Sequence, residues 1–278
     1  MRRLGSEAGH WDGVARERFS KSPPDILSEH KKKTHLHLLA RWADLKGSEW
    51  ILKTDLFEEA SGPDQFLFDL GQKNNRIIGI DISREIVAQA KRRASQHNVD
   101  SSKYLCCDVR YLPLKSDSID LIISNSTLDH FSSEEDISVA LRELARILRV
   151  NGTLILTMDN KQNLTYPPYV FIRIWMKLGL APYFIGRTLS LAELRRILEQ
   201  EGLSVEESTA IFHYPHPDGL VRLLERLLHW LSRGKLDNAM REGLNLLDRL
   251  EKKSTRYLTG RYIAVKAVKK ICSNLMSR

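Results

Sequence analysis

Cysteine is scarce in this chain: its 278 residues include three, and two of them, Cys106 and Cys107, are adjacent. Such a set cannot build a disulfide framework and has no CxxC spacing, which is typical of a reducing compartment. A long apolar run is also lacking. The longest stretch, 169–180, is interrupted by Arg173 and Lys177 and falls well short of the roughly 20 residues that a membrane span needs. Because the charged N-terminal region has no apolar core segment either, we expect a soluble, cytoplasmic protein.

Charge is balanced along most of the chain but not at its end. Hydrophobic residues make up 42% and charged residues 28%, which is typical of a globular domain and excludes wholesale disorder. Residues 249–278 alone account for the net charge of +8, because nine lysines or arginines stand there against the single acid Glu251. A basic end of this kind fits nucleic acid or an anionic membrane surface, and it equally fits a solvated edge strand and tail.

The order of predicted elements indicates an α/β protein. Residues 1–25 predict a mobile or loosely docked arm, and 26–278 a single domain in which 160–200 form an α-helical cap over the substrate. Short apolar segments alternate with amphipathic helices, as a parallel sheet covered on both faces requires. The predicted strands are 50–56, 76–81, 103–108, 119–125, 153–159, 204–215 and 261–269. We therefore predict a doubly wound, mostly parallel seven-stranded sheet.

Polar residues at the ends of three predicted strands indicate a nucleotide site. Asp81, Asp108 and Asn125 each follow a strand, and ligands of doubly wound sheets bind beyond the carboxyl ends of the strands. An acid in the place of Asp81 can accept both ribose hydroxyls, and one in the place of Asp108 can accept an adenine amino group. Either acid also fits a helix N-cap. The positions of these residues at strand ends are equally consistent with NAD as the bound nucleotide.

Three segments resemble the class I S-adenosylmethionine-dependent methyltransferases. They are GIDISREIVAQAK (79–91), CDVRYLPLKSDSIDLIISNSTLDHF (107–131) and LRELARILRVNGTLILTMDN (141–160). The shared features are an acid after strand two, a D-x-x-x-L-P motif, and a helix that ends R-I-L-R-x-N-G before strand five. The resemblance implies a Rossmann-like fold and S-adenosylmethionine as the cofactor, held in part by these residues: Asp81, Ile82, Asp108, Val109 and Asn125.

The loop after strand one departs from this family, which has a glycine-rich sequence there. The segment FDLGQ (68–72) is tempting as strand one, but it lies too close to Asp81 to leave room for a crossover helix. We therefore assign strand one to WILKTDL (50–56). Its loop has one glycine, Gly62, and carries acids instead. We expect Asp55 and Glu59 to meet the ammonium group of the cofactor.

Candidates for catalysis are two histidines, His130 after strand four and His213 at the end of the sixth predicted strand. A base supplies part of the catalysis of methyl transfer, and positioning supplies most of it. The HYPHP segment (213–217) lacks a third ligand for a metal ion, so we predict no metal.

An aromatic segment after strand five (165–186) is the best candidate for an acceptor site. Insertions here commonly cover the acceptor in the resembling family. We expect an apolar pocket for a quinone, polyketide, terpenoid or lipid-like compound, methylated on oxygen or carbon. The helix in this segment fits a membrane surface or simple packing on the domain equally well. The pocket candidates are Tyr166, Tyr169, Trp175 and Tyr183.

Two other functions stay open. One is a non-catalytic binding or regulatory subunit of the same fold, consistent with the glycine-poor loop. The other is a methyltransferase of RNA or protein guided by the basic end, although nucleic acid is disfavoured because the chain has no pattern of interleaved aromatic and basic residues. The acceptor itself and the oligomeric state are not evident in the sequence.

Overall fold

The computed structural model describes residues 4–18, 25–62, 64–71, 76–99, 103–167, 171, 174, 186–215 and 218–270. The elements of the described residues are, in chain order, α1 (Leu4–Arg18), α2 (Ile26–Trp42), β1 (Ile51–Thr54), α3 (Phe57–Ser61), α4 (Leu67–Gly71), β2 (Ile77–Asp81), α5 (Arg84–Gln96), β3 (Lys103–Cys106), β4 (Ile119–Asn125), a 3-10 turn (Leu128–His130), α6 (Glu134–Ile147), β5 (Leu148–Asp159), α7 (Leu191–Gln200), β6 (Leu203–Ile211), α8 (Asp218–Ser232), α9 (Asp237–Leu247), a second 3-10 turn (Asp248–Lys252), α10 (Arg256–Thr259) and β7 (Tyr262–Lys269).

The strands form one seven-stranded sheet in the order β3-β2-β1-β4-β5-β7-β6. The pairs from β3 to β5 are parallel, and β7 runs antiparallel to both of its neighbours. This arrangement confirms the predicted doubly wound, mostly parallel sheet. The strand order reverses between β1 and β4, which places a crevice at their carboxyl ends.

The central strands are apolar because helices cover both of their faces. Leu52 and Ile122 are fully buried on one face of the sheet, while Ile51, Leu121 and Ile123 are fully buried on the other. Successive side chains of a strand point to opposite faces, so a strand buried on both sides reads as an unbroken apolar run rather than an alternating one.

The assignment of strand one is confirmed. Residues 51–54 are β1, and the competing segment FDLG lies within helix α4. Three of the following helices begin at a serine whose side chain accepts a backbone N–H of the first turn: Ser83, Ser133 and Ser190. These N-caps fix where each crossover helix starts relative to the strand end before it.

The N-terminal segment differs from the mobile arm that the sequence predicted. Residues 4–18 form helix α1, which packs on α5 and α3 with Val14 and Ala15 buried. The sequence does not reveal this helix because α1 has only a narrow apolar stripe, whose burial depends on surfaces far away in the chain.

The basic C-terminal part is an inner strand rather than an edge strand. Strand β7 lies between β5 and β6, and its lysines are paired: Lys266 faces Glu206 and Glu207, and Lys269 bonds Asp117 at 2.7 Å. Strand β6 is the edge strand on this side of the sheet. Residues 271–278 lie outside the described residues.

The predicted cap at 160–200 is only partly described. Helix α7 packs on β6 and α6 as an ordinary layer of the sheet, and most of 168–185 lies outside the described residues. A separate group of helices is formed by α8 and α9, which pack against α2. In the described part of the chain, no helix has the length and apolarity needed to cross a membrane.

Candidate active site

The crevice between β1 and β4 is lined by small hydroxyl side chains. The Thr54 hydroxyl donates to Ser124 Oγ at 3.0 Å and shares a 2.6 Å hydrogen bond with Thr127 Oγ1. Asn125, the last residue of β4, is almost fully buried, and within the described residues its Nδ2 has no hydrogen-bond partner. A buried unpaired donor is costly, so this amide fits a ligand that brings an acceptor atom into the crevice.

Asp81 lies at the end of β2 with its carboxylate fixed by backbone groups. Leu56 N donates to Oδ2 at 2.9 Å and Ser83 N donates to Oδ1 at 2.8 Å. Burial raises the pKa of Asp81 to about 6 despite these bonds. A carboxylate has roughly four acceptor sites, so Asp81 retains capacity for two hydroxyls of a ribose. Ile82, half-buried beside it, provides an apolar side chain at the same strand end.

The loop after β1 is organised around a buried lysine. Lys53 is completely buried, and its Nζ donates to the backbone oxygen of Asp55 and to Glu59 Oε2 at 2.7 Å. The ion pairs with Glu59 and Glu58 hold the pKa of Lys53 above its ordinary value although burial opposes this. The lysine thus ties strand β1 to helix α3 across the turn between them.

Two backbone positions in this loop take the place of a glycine-rich sequence. Asp55 has a φ of 63°, a left-handed conformation that aspartate tolerates better than most side chains, and Phe57 N donates to its carboxylate. Gly62 ends helix α3 with a φ of 147°, which only glycine adopts readily. The tight turn is therefore kept without a Gly-x-Gly motif.

Glu59 does not fit the role predicted for it. Its carboxylate is fully buried, where it pairs with Lys53 and accepts Leu67 N at 3.2 Å. Both carboxylate oxygens are bonded to groups of the protein, so Glu59 has a structural role. The sequence alone does not distinguish Glu59 from the adjacent Glu58, because it does not show which of the two side chains is buried.

Asp55 remains a good partner for a cation. Burial and the nearby charges of Glu58 and Asp81 raise its pKa well above the ordinary value. A carboxyl in this setting gains when a positive group arrives, because that group favours the charged form. The ammonium of an amino acid is such a group, and the donor set as a whole fits a nucleoside that carries one.

Asp108 and Val109 follow β3, as the sequence predicted, but Asp108 already has a strong partner. Arg110 makes a bidentate pair with it, with Nε and Nη2 at 3.0 and 2.6 Å from Oδ2. The same guanidinium reaches Glu7 of α1 at 2.6 Å and Asp136 of α6 at 2.9 Å. An adenine amino group would therefore share the Asp108 carboxylate with Arg110.

Helix α1 lies over this end of the sheet. Its Trp11 ring packs edge-on against the ring of His130 at a centroid distance of 4.7 Å, and Asp12 accepts Glu85 N at 3.3 Å. His130 is thus placed beside the crevice, at the end of the turn after β4, as the sequence predicted. Its catalytic role stays a prediction.

A second polar cluster, which we call the Asp159 cluster, lies at the carboxyl ends of β4 and β5. It comprises Asp159, Asp129, Ser126, Tyr166 and Tyr262. Ser126 donates to Asp129 Oδ2 at 2.7 Å and bonds Tyr262 Oη at 3.2 Å, and Tyr166 bonds the Asp159 carboxylate. Burial and the charge of Asp129 raise the pKa of Asp159 to about 7.

Two cations face the Asp159 cluster from neighbouring elements. Arg261 and Lys31 both favour the charged form of Asp159, and each pairs with Asp218 at the start of α8. The guanidinium of Arg261 lies 5.1 Å from the Tyr214 ring centroid. Asp159 is not among the site residues predicted from the sequence, although it ends an apolar strand in the same way as Asp81.

His213 is a structural residue, contrary to the prediction that it is catalytic. It is buried, with Nδ1 2.8 Å from Thr259 Oγ1 and Nε2 3.0 Å from the Ala210 carbonyl oxygen. Burial lowers its pKa, and both ring nitrogens have protein partners. These contacts join the end of β6 to helix α10 and leave no nitrogen to accept a proton from an acceptor.

Of the predicted pocket residues, only Tyr166 is among the described residues, and it lies in the Asp159 cluster. Tyr169, Trp175 and Tyr183 lie outside the described residues. In the described part of the chain, no group of three or more His, Cys, Asp or Glu side chains is arranged to hold a metal ion. The doubly wound fold and the crevice at its switch point are typical of proteins that bind a nucleoside-containing cofactor.

Comparison with known proteins indicates the reaction class and the cofactor. Residues 58–156 match the family model of the methyltransferase domain. The chain is 25% identical over 230 residues to malonyl-[acyl-carrier protein] O-methyltransferase of Hamiltonella defensa, covering 82% of this chain and 79% of that protein. These matches support S-adenosylmethionine-dependent methyl transfer, with residues 58–156 as the methyltransferase domain and S-adenosylmethionine as the cofactor.

Solved structures agree on the fold. Magnesium protoporphyrin IX methyltransferase from Synechocystis, solved with bound S-adenosylhomocysteine, superposes with a TM-score of 0.59 at 15% identity and covers 96% of this chain and 99% of its own. Geranyl diphosphate C-methyltransferase from Streptomyces coelicolor gives 0.58 at 14% identity, with coverages of 97% and 98%. Both chains therefore share the fold over nearly their full lengths.

Proposed function

We propose that this methyltransferase acts on a hydrophobic small molecule and that Asp159 removes the proton from the acceptor group, a hydroxyl in the simplest case. The observation that carries the proposal is the position of a carboxyl with a pKa of about 7 at the end of β5, beside the cofactor crevice. An acidic carbon would serve the same base. The bound cofactor supplies a methyl group on a sulfonium, which is the electrophile.

The pKa of Asp159 suits a general base. A base works best when its pKa lies near the operating pH, because it is then both deprotonated and able to take a proton. Arg261 and Lys31 offset part of the repulsion by Asp129 and favour the charged form of Asp159, which is the form that can take a proton. A proton taken from an acceptor hydroxyl would rest on Asp159 while the oxygen forms its bond to the methyl carbon.

Aromatic rings around the cluster favour an apolar acceptor. Tyr166 and Tyr262 bond within the cluster, and Tyr214 stacks with Arg261 close by. Rings that offer a hydrophobic body and one polar tip suit a ligand with a polar group on an apolar frame. The inner position of β7 and the pairing of its lysines give no support to an RNA acceptor guided by the basic end.

The test combines one variant with a pH profile. Asp159→Asn keeps the size of the side chain and removes the base, so we expect kcat to fall about a hundredfold or more, with the affinity for S-adenosylmethionine unchanged. Transfer of a labelled methyl group into organic-soluble products, from a panel of phenols, quinols and prenyl alcohols, provides the assay. The control is Glu199→Gln, an exposed acid on α7.

The pH dependence has a definite sign. Since the base must be deprotonated, kcat/KM should rise with pH and level off above about 7 in the wild type. In the Asp159→Asn variant, the rise of kcat/KM with pH should disappear. Labelling of RNA but of no apolar compound would reject the proposed acceptor class, and an unchanged pH limb in the variant would reject Asp159 as the base.

A further inference from the structure

Helix α8 turns an apolar row outward instead of inward. The members of this row, which we call the α8 row, are spaced three and four residues apart and are exposed, Trp230 by 74% and Leu231 by 70%: Leu220, Leu223, Leu224, Leu227, Trp230 and Leu231. Positions with this spacing share one face of a helix. An exposed contiguous apolar face on a folded protein marks an interaction surface.

The packing of α8 shows that this row is not part of the core. The helix rests on the protein through Val221 and Glu225, which are buried. The Glu225 carboxylate accepts the backbone N–H of Ile26 at 2.7 Å, which secures the start of α2. The leucines of the row contribute little to this contact, so they are available to something else.

An apolar groove of about 530 Å³ separates α8 from α9. Leu224 and Leu228 of α8 and Met240 and Leu244 of α9 line it. Tyr214 lines the same groove, and its ring lies 5.1 Å from the guanidinium of Arg261, which also faces the Asp159 cluster, so these two residues connect the groove to the cluster. A volume of this size holds a sizeable hydrocarbon group.

The exposed charges next to the row are positive. Arg226 and Arg233 stand one helical turn before and after Trp230, and Lys235 follows in the next turn of chain, all three exposed. The acids of α8 and of the start of α9 are paired: Asp218 with Lys31 and Arg261, Glu225 with the backbone N–H groups of Ile26 and Leu27, and Asp237 with His229. A helix with leucines and tryptophan on one face and arginines at its margin is typical of helices that lie in a membrane interface.

We propose that α8 and the rim of the adjacent groove dock on the surface of an anionic lipid bilayer. This inference rests on the proposed function and deepens it, since a bilayer is the store from which a hydrophobic acceptor would enter the groove toward the Asp159 cluster. A second copy of the chain is a poorer occupant. A two-fold contact would bring Arg226, Arg233 and Lys235 of both copies together, whereas anionic headgroups complement them.

The test measures binding of the full chain to vesicles in the absence of any substrate. Vesicles of phosphatidylcholine with roughly one third phosphatidylglycerol are compared with pure phosphatidylcholine by cosedimentation. The triple variant Leu223→Gln/Leu227→Gln/Trp230→Gln should lower the partition coefficient at least about a hundredfold. Because these side chains are exposed, the melting temperature should stay unchanged.

A charge variant separates the electrostatic part. Arg226→Gln/Arg233→Gln should weaken binding about thirtyfold on anionic vesicles and hardly at all on neutral ones. The matched controls are Val150→Gln and Arg195→Gln, an exposed apolar and an exposed basic side chain on other elements, and these should leave binding unchanged.

Three outcomes would overturn the proposal: no binding of the wild type to anionic vesicles, binding that the triple variant retains, or sedimentation of a dimer that the triple variant converts to a monomer without vesicle binding. Failure of the proposed acceptor class gives a different pattern, in which vesicle binding and its loss in the variants persist while no apolar compound is methylated.

Discussion

Replacing Lys53 by methionine should destabilise the protein strongly while changing no exposed surface. The methionine retains the apolar stem of the lysine, which is completely buried. It removes the charge that pairs with Glu59 at 2.7 Å, and Glu59 is itself fully buried. The variant therefore leaves a carboxylate in the interior without its partner.

The expected loss of unfolding free energy follows from the unpaired charge of Glu59 in the interior. Removing one member of a buried ion pair costs about 3–5 kcal/mol, because the remaining charge keeps its desolvation penalty and loses its compensation. A domain has about 5–15 kcal/mol of unfolding free energy in all. Lys53→Met should thus remove a large fraction of the stability and lower the urea midpoint accordingly.

The assay is a double-mutant cycle by urea unfolding. Glu59→Gln keeps the oxygen that accepts Leu67 N, so Lys53→Met/Glu59→Gln removes both charges and keeps the loop bond. We expect the double variant to be more stable than the sum of the single effects implies, by at least about 1 kcal/mol. The control is Lys161→Met, whose pair with Glu193 has the same 2.7 Å separation but is half exposed, and it should cost at most about 1 kcal/mol.

A cost below about 1 kcal/mol for Lys53→Met, or strict additivity in the cycle, would refute the reasoning. Either result would mean that water or another cation reaches Glu59, and that the loop after β1 is not organised by the lysine. A second readout is the affinity for S-adenosylmethionine. It should fall in Lys53→Met, because the loop after β1 loses the lysine that organises it, and stay unchanged in Lys161→Met.

Three further predictions concern the cofactor side of the crevice and its surroundings. Asp81→Asn should weaken S-adenosylmethionine binding by calorimetry at least about tenfold in a protein that still unfolds cooperatively, since hydrogen bonds to a charged group contribute about 1.5–3 kcal/mol. Glu7→Gln should speed hydrogen exchange across α1 by removing its ion pair to Arg110, and unchanged protection would contradict this. His213→Asn should lower the melting temperature and leave kcat within about twofold, because both ring nitrogens bond within the protein.

The sheet could be predicted from the sequence because each strand carries its own signal. An apolar run between polar loops needs no knowledge of distant residues, and the lengths of chain between runs excluded FDLG as strand one. Asp81, Asp108 and Asn125 were found by the same logic, as polar residues at strand ends. Asp159 ends β5 in the same way, so its position at a strand end also indicates a site residue.

Contacts between distant parts of the chain could not be predicted in this way. Glu59 is an interior residue because Lys53 sits beneath it, and His213 is structural because Thr259 meets it from another element. Both facts depend on three-dimensional proximity, which one sequence does not reveal. The exposure of the α8 leucines depends in the same way on which elements pack against that helix.

The place of β7 in the sheet has a consequence for how the chain is assembled. In the described part of the chain, β6 pairs only with β7, and β7 bridges it to β5. Strands β1 to β5 can join as they are synthesised, but β6 has no neighbour until the chain has reached residue 269. We therefore expect a chain that stops before β7 to lose both β6 and β7 from the sheet, while α8 and α9 keep their contacts with α2.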